Sequence, residues 1–240
     1  MKRQRISTFI ISSFLLLSVS LTAQNETETI SEITDSISLQ PRKFGIRVGT
    51  DASKLVRTAL DNDYSGFELI ADYRFNRKIF IAGEIGNEQK EFVTDFLDIT
   101  TKGTYFKVGI DYNMHDNLFP LDNMIYSGFR IGASNFSQTL NKATYYTTNQ
   151  YWQTQGTVPE LEDFTGLTAL WAELQMGIKA EVLTNLYIGF NVQLKYLFSQ
   201  DTPENFTNVF IPGFNKVFED SSLGVGYGYT ISYRIPLYKK

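Results

Sequence analysis

The chain has 240 residues, with 22 Lys and Arg against 26 Asp and Glu, one histidine and no cysteine. The missing cysteine excludes disulfides and thiolate metal sites, and a mildly acidic chain with no basic patch interleaved with aromatics excludes nucleic acid as an expected partner. No segment beyond the N-terminal stretch approaches ~18 consecutive apolar residues, which excludes helical membrane spans.

The N-terminus reads as a secretory signal peptide over residues 1–23. Lys2, Arg3 and Arg5 form a positive start, Phe9 to Val19 an apolar stretch, and Leu21-Thr22-Ala23 a small-residue cleavage site. Residues 24–41 are rich in Ser, Thr, Glu and Asp and read as a flexible lead-in. From 42 to 240 one domain is expected. Period-two alternation recurs there in eight runs, predicting strands at 43–51, 64–75, 78–87, 103–113, 123–133, 167–182, 185–198 and 223–237. With 19 Phe and 14 Tyr, the composition suits strands.

Each run carries one apolar face free of charge, as in Phe44, Ile46 and Val48 of the first or Leu186, Ile188, Phe190, Val192 and Leu194 of the seventh. Connections alternate between tight turns (Asn76-Arg77, Leu183-Thr184-Asn185, with a longer one at Met114 to Asp122) and loops at 52–63, 88–102, 134–166 and 199–222. Antiparallel neighbours put the long loops at one end, the habit of bacterial outer-membrane barrels. In the first loop, Ser53 to Leu60 is expected to form a turn or two of helix, capping the barrel with Leu55, Val56 and Leu60 packed inward.

Alternation alone does not say which face meets water. A soluble lipocalin-like barrel turns its apolar face inward, and a membrane barrel turns it outward. The polar face decides. It carries Asp51, Glu68, Asp72, Glu84, Asp111, Glu173 and Glu181 against Arg47, Arg74, Lys107, Arg130, Lys179, Lys195 and Arg234, seven of each sign. Balance is what a closed interior demands, because an unpaired buried charge costs several kcal/mol. The same face takes twelve of the 17 glycines, as an interior barely wide enough for side chains requires. Facing lipid, the seven cations would cost ~2–4 kcal/mol each near mid-bilayer, more than the ~5–15 kcal/mol of a typical fold. On the apolar face, aromatics gather near both ends (Phe44, Tyr73, Phe75, Tyr112 and Tyr233 by the short turns; Phe67, Phe106, Tyr196, Phe198 and Tyr227 by the long loops), as interfacial belts do. The expected fold is an all-β, eight-stranded antiparallel up-and-down transmembrane β-barrel with a charged, filled interior.

Three phrases carry a family resemblance: Ser53-Lys54-Leu55-Val56-Arg57, the stretch Asn123 to Arg130 (Asn-Met-Ile-Tyr-Ser-Gly-Phe-Arg), and Gly226 to Tyr238 (Gly-Tyr-Gly-Tyr-Thr-Ile-Ser-Tyr-Arg-Ile-Pro-Leu-Tyr). From about Phe44 onward the chain resembles an uncharacterised family of Gram-negative outer-membrane β-barrel proteins grouped as a domain of unknown function. The resemblance implies location and fold and brings no catalytic motif. The aromatic last strand also resembles the C-terminal signal read by the barrel-assembly machinery, from which it departs by continuing to Lys239 and Lys240.

No catalytic, cofactor or metal residues emerge. Small outer-membrane lipid-modifying enzymes pair a histidine with a serine near the outer leaflet, whereas His115 falls in a short-turn connection at the opposite end. The fourteen face charges read as an interior salt-bridge plug, with a narrow solute channel as the alternative. Tyr145, Tyr146, Tyr151 and Trp152, amid Thr, Asn and Gln in loop 134–166, suit recognition of an extracellular sugar or protein surface. The partners expected are therefore outer-membrane lipid, the secretion and barrel-assembly machinery, and a ligand at that loop.

Overall fold

The computed structural model describes residues 43–115, 122–146, 155–158, 162–203, 207–218 and 220–239. The expected signal peptide and lead-in lie outside the described residues. Eight long strands dominate: β1 (Lys43–Asp51), β2 (Tyr64–Arg74), β3 (Ile79–Val93), β4 (Leu97–Asn113), β5 (Met124–Tyr146), β7 (Glu162–Leu183), β8 (Leu186–Gln200) and β11 (Leu223–Lys239). Short β6 (Gln155–Val158) extends the edge of β5, and β9 (Phe210–Ile211) pairs with β10 (Asn215–Lys216). The helix α1 (Ala52–Leu60) follows β1.

Each long strand pairs antiparallel with its chain neighbours, β1 pairs with β11, and so the sheet closes on itself as an eight-stranded up-and-down barrel. Closure removes the two long open edges that a flat sheet would expose, and main-chain groups lack a partner strand where a neighbour stops short. The short turns are made by local chemistry. The Asn76 side-chain oxygen accepts from the N–H groups of Lys78 and Ile79 at 2.9 and 2.8 Å, and Asn185 takes the left-handed conformation with φ 67° that Asn tolerates better than most residues.

The sidedness is the reverse of a lipocalin-type barrel. Ile81, Val108, Ile131, Leu174, Ile188 and Ile231 are exposed around the outside, while Asp72, Lys107, Arg130 and Glu173 on the other face are buried. Four strands run further than the alternation suggests. β3 and β4 continue through residues 88–102 to a tight turn, and β5 and β7 extend well into 134–166. Beyond the apolar band both faces carry polar residues, so the period-two contrast fades although the main-chain ladder continues.

Phe44 corrects the expected outer aromatic belt. It is buried inside, because the β1–β11 register slips between Phe44 and Gly45, with Leu237 of β11 as the extra residue beside Pro236. Proline offers no N–H to the ladder, and a bulge is where it is tolerated. The bulge turns Phe44 and Gly45 to the same side.

Inside, large rings lie over glycines. A Cβ added to Gly132 would come within 2.3 Å of the Trp171 ring, and one on Gly86 within 2.3 Å of the Tyr105 hydroxyl. Trp171, Tyr105, Phe136, Leu167 and Leu197 form an apolar cluster with Ile211 and Phe214, which the segment after β8 folds back into the barrel. Gly132→Leu should therefore lower stability by about 1–3 kcal/mol through overpacking. Gly83→Ala on the outer face, where the nearest atom is 3.8 Å away, should leave it unchanged; urea titration of the refolded protein measures both.

Candidate functional site

Cross-strand register sets the site, because it seats acids beside bases across the ladder. Arg47 lies opposite Asp72, Glu84 opposite Lys107, Arg130 opposite Glu173, and Glu173 opposite Lys195. All fourteen charged residues expected on the polar face point inward and are buried.

From these pairs a chain of alternating sign runs along the lumen. Starting at the long-loop end, Glu88 meets Lys54 at 2.5 Å, and Lys54 meets Glu68 at 3.2 Å. Lys107 bridges Glu68 and Glu84 at 3.4 and 2.6 Å, and Arg130 bridges Glu84 and Asp111 at 3.3 and 2.7 Å. Lys179 bridges Asp111 and Asp72 at 3.6 and 2.8 Å, and Arg47 closes the run on Asp72 at 2.6 Å. A branch joins Lys107 and Lys195 through Glu173 at 3.8 and 3.5 Å, and Trp171 donates its indole N–H to Glu173 at 2.8 Å.

The short-turn end is sealed separately. Asp122 receives Arg74 at 2.6 Å and also pairs with Arg234, which reaches Glu181 at 3.2 Å. The guanidinium of Arg47 stacks over Phe80 and Tyr187 at 4.7 and 5.1 Å, and that of Arg74 over Phe80 at 4.8 Å. Flat cations packed on rings keep their charge with little room for water. Asp51 stands apart from the ladder: it caps α1 by accepting from the Ser53 N–H at 2.8 Å.

Three members were not anticipated from the sequence. Glu88 is in phase with Glu84 and Gly86 and could have been found by continuing that parity. Asp122 stands directly before β5 in what reads as a turn. Lys54 comes from α1, and here the expected cap is corrected. Leu55, Val56 and Leu60 are 41%, 55% and 81% exposed and point away from the barrel. The helix instead turns its polar side to the barrel, because the buried carboxylates of Glu68 and Glu88 attract Lys54 inward while the outer surroundings continue the apolar band. The inward-folding segment was also missed, although Phe210-Ile211-Pro212-Gly213-Phe214 is an apolar run in an otherwise polar loop. It is tied in by Lys195, which donates to the Gly213 carbonyl at 2.7 Å, and by the Gly213 N–H, which donates to Glu88 at 2.7 Å.

The lumen is not filled throughout. A cavity of about 400 Å³ lies behind α1, lined among others by Lys54, Glu68, Lys107, Gln193 and Lys195. Of the loop aromatics, Tyr151 and Trp152 lie outside the described residues; the backbone of Tyr145 and Tyr146 continues β5 and pairs with β6. His115 sits beyond the short-turn end of β4, its N–H bonded to the Asn113 side chain at 3.0 Å. Among the described residues no group of His, Asp or Glu is disposed to hold a metal.

Two outcomes follow. Arg130→Ala leaves Glu84 and Asp111 short of their shared cation and should cost about 3–5 kcal/mol, read by urea unfolding. Burial by itself would raise the Asp122 carboxyl, but Arg74 and Arg234 outweigh it and hold the group below the ordinary carboxylate range. A depressed carboxyl stabilises the fold above its unfolded value, near pH ~4, and that contribution is lost as pH falls through the folded value. Unfolding midpoints of Asp122→Asn should accordingly fall less steeply than wild type below pH ~4.

No curated protein matches the chain. Among solved structures, the attachment invasion locus protein Ail of Yersinia pestis aligns at 10% identity, covering 80% of this chain and 98% of its own, with a TM-score of 0.38. Neisserial surface protein A aligns at 9% identity, covering 82% and 99%, with a TM-score of 0.39. A major outer membrane protein from Thermus thermophilus aligns at 12% identity, covering 80% and 98%, with a TM-score of 0.43. The family model for a domain of unknown function, DUF6048, matches residues 6–240, and the chain belongs to that family.

Proposed function

We propose that the chain is a non-enzymatic integral outer-membrane β-barrel protein of the Gram-negative envelope, exported by the signal peptide at 1–23, with a structural or surface-recognition role at its long-loop end. One observation carries the reading: a continuous apolar band encircles the barrel while the charges lie inside. Soluble monomers rarely expose apolar patches beyond a few hundred Å², and a band around a whole barrel suits only hydrocarbon. The ion-pair ladder and the ring-stacked arginines below it favour a closed lumen over a solute channel. Recognition is assigned to loop 134–166 with Tyr145, Tyr146, Tyr151 and Trp152, whose amphipathic rings suit sugar or protein surfaces. The aromatic β11 would be the segment presented to the assembly machinery.

Membranes separated by density and run unheated and heated on SDS gels test the placement. The protein should be found in the outer-membrane fraction with heat-modifiable migration; recovery from the soluble fraction would contradict it. In planar bilayers the same material should give no steady conductance, and open channels of defined size would overturn the closed lumen.

A further inference from the structure

We propose that the barrel wall carries a lateral portal between α1 and β11, through which a lipid of the surrounding leaflet places its polar headgroup in the lumen; this rests on the membrane placement above. β1 stops at Asp51, opposite Thr230, whereas β11 begins at Leu223 and β2 at Tyr64, so both neighbours outrun it at the long-loop end. α1 stands in the resulting gap. Its two seams differ. Towards β2, the Thr58 hydroxyl accepts the Gly66 N–H at 2.8 Å, and the Arg57 guanidinium lies over the Tyr64 ring at 3.9 Å. Towards β11, among the described residues, one hydrogen bond crosses, from the Tyr229 N–H to Asp51 at 3.3 Å.

Main-chain groups alternate in direction along a strand, so Tyr227 and Val225 turn their N–H and C=O the same way as Tyr229. Among the described residues no strand pairs with them on that side. Unpaired main-chain groups facing hydrocarbon cost several kcal/mol each, so this seam needs a polar occupant.

The cavity of about 400 Å³ supplies the room. Lys54 and Arg57 of α1 bound it on one side and Val225 to Tyr227 on the other, with Lys195 deeper inside. Gly226 keeps it open: the atoms nearest to a Cβ there are the ends of Gln193, Lys195 and Asn215 at 2.8, 3.2 and 3.3 Å. The outer lip is apolar. Val225 and Tyr227 are 73% and 65% exposed, and Leu55, Val56 and Leu60 face outward across the seam. The surface thus passes from apolar lip to charged interior across the thickness of one strand. An amphiphile matches that change, its chain lying on the lip and its headgroup bonding the free main-chain groups beside Arg57 and Lys195. A water-soluble solute would fit the cavity and leave the lip without a role.

The test refolds the full chain into phosphatidylcholine vesicles holding a trace of phosphatidylcholine with a photoreactive diazirine on its headgroup. Irradiation and peptide mapping should place label on α1 and on lumen residues around Gln193. Gly226→Leu should lose the lumen label while keeping heat-modifiable migration. Gln193→Phe, which fills the same space from β8, should do the same. Label confined to the outer rim, or label unchanged in both variants, overturns the portal while leaving the inserted barrel intact. A chain that never enters the vesicles overturns both readings, and heat-modifiable migration tells that case apart.

Discussion

Charge cannot stay unpaired in a space that water does not fill, and the interior of this barrel is built to that constraint. Ten charged groups from Glu88 to Arg47 alternate in sign along the lumen, each within 4 Å of an opposite partner. Buried pairs add little net stability against an apolar core of equal volume. What they do here is fix register. A slip of one residue between β3 and β4 would part Glu84 from Lys107 and turn one strand's charges to the outside, so the ladder penalises every alternative pairing at once.

Glycine is the counterpart of the ladder. Long cations and rings fit inside an eight-stranded ring only where facing positions are small, which is why Trp171 lies over Gly132 and Tyr105 over Gly86. The same device has an opposite outcome at β11, where Gly226 meets no large ring and a cavity remains. Filled and unfilled parts of one lumen therefore follow from what lies opposite each glycine. The helix α1 belongs to the same logic: with carboxylates behind it and an apolar band beside it, its lysine goes in and its leucines go out.

The closed sheet was legible because alternation is a direct consequence of one apolar and one charged face, and all eight long strands appear where the runs predict them. Legibility failed where that contrast ends. From Glu88 to Glu91 both faces of β3 are polar, so its extension to Val93 left no periodic trace. The inward turn of Phe44 depends on a bulge in β11, nearly 200 residues away in sequence, with Pro236 as the only local hint. Lys54 could be read as an ordinary helix-surface lysine because its partners, Glu68 and Glu88, lie on other strands. Parity fixed which side chains share the lumen, but which acid meets which base depends on strand stagger, and a single sequence does not carry that.

The sidedness of the wall is directly measurable, because the chain has no native cysteine. Single cysteines placed along β7 at Leu174, Gln175, Met176 and Ile178, each carrying a fluorophore in vesicles of brominated phospholipid, report which residues touch acyl chains. Quenching should be strong at Leu174, Met176 and Ile178 and weak at Gln175. Equal quenching along the strand, or the opposite alternation, would contradict the account.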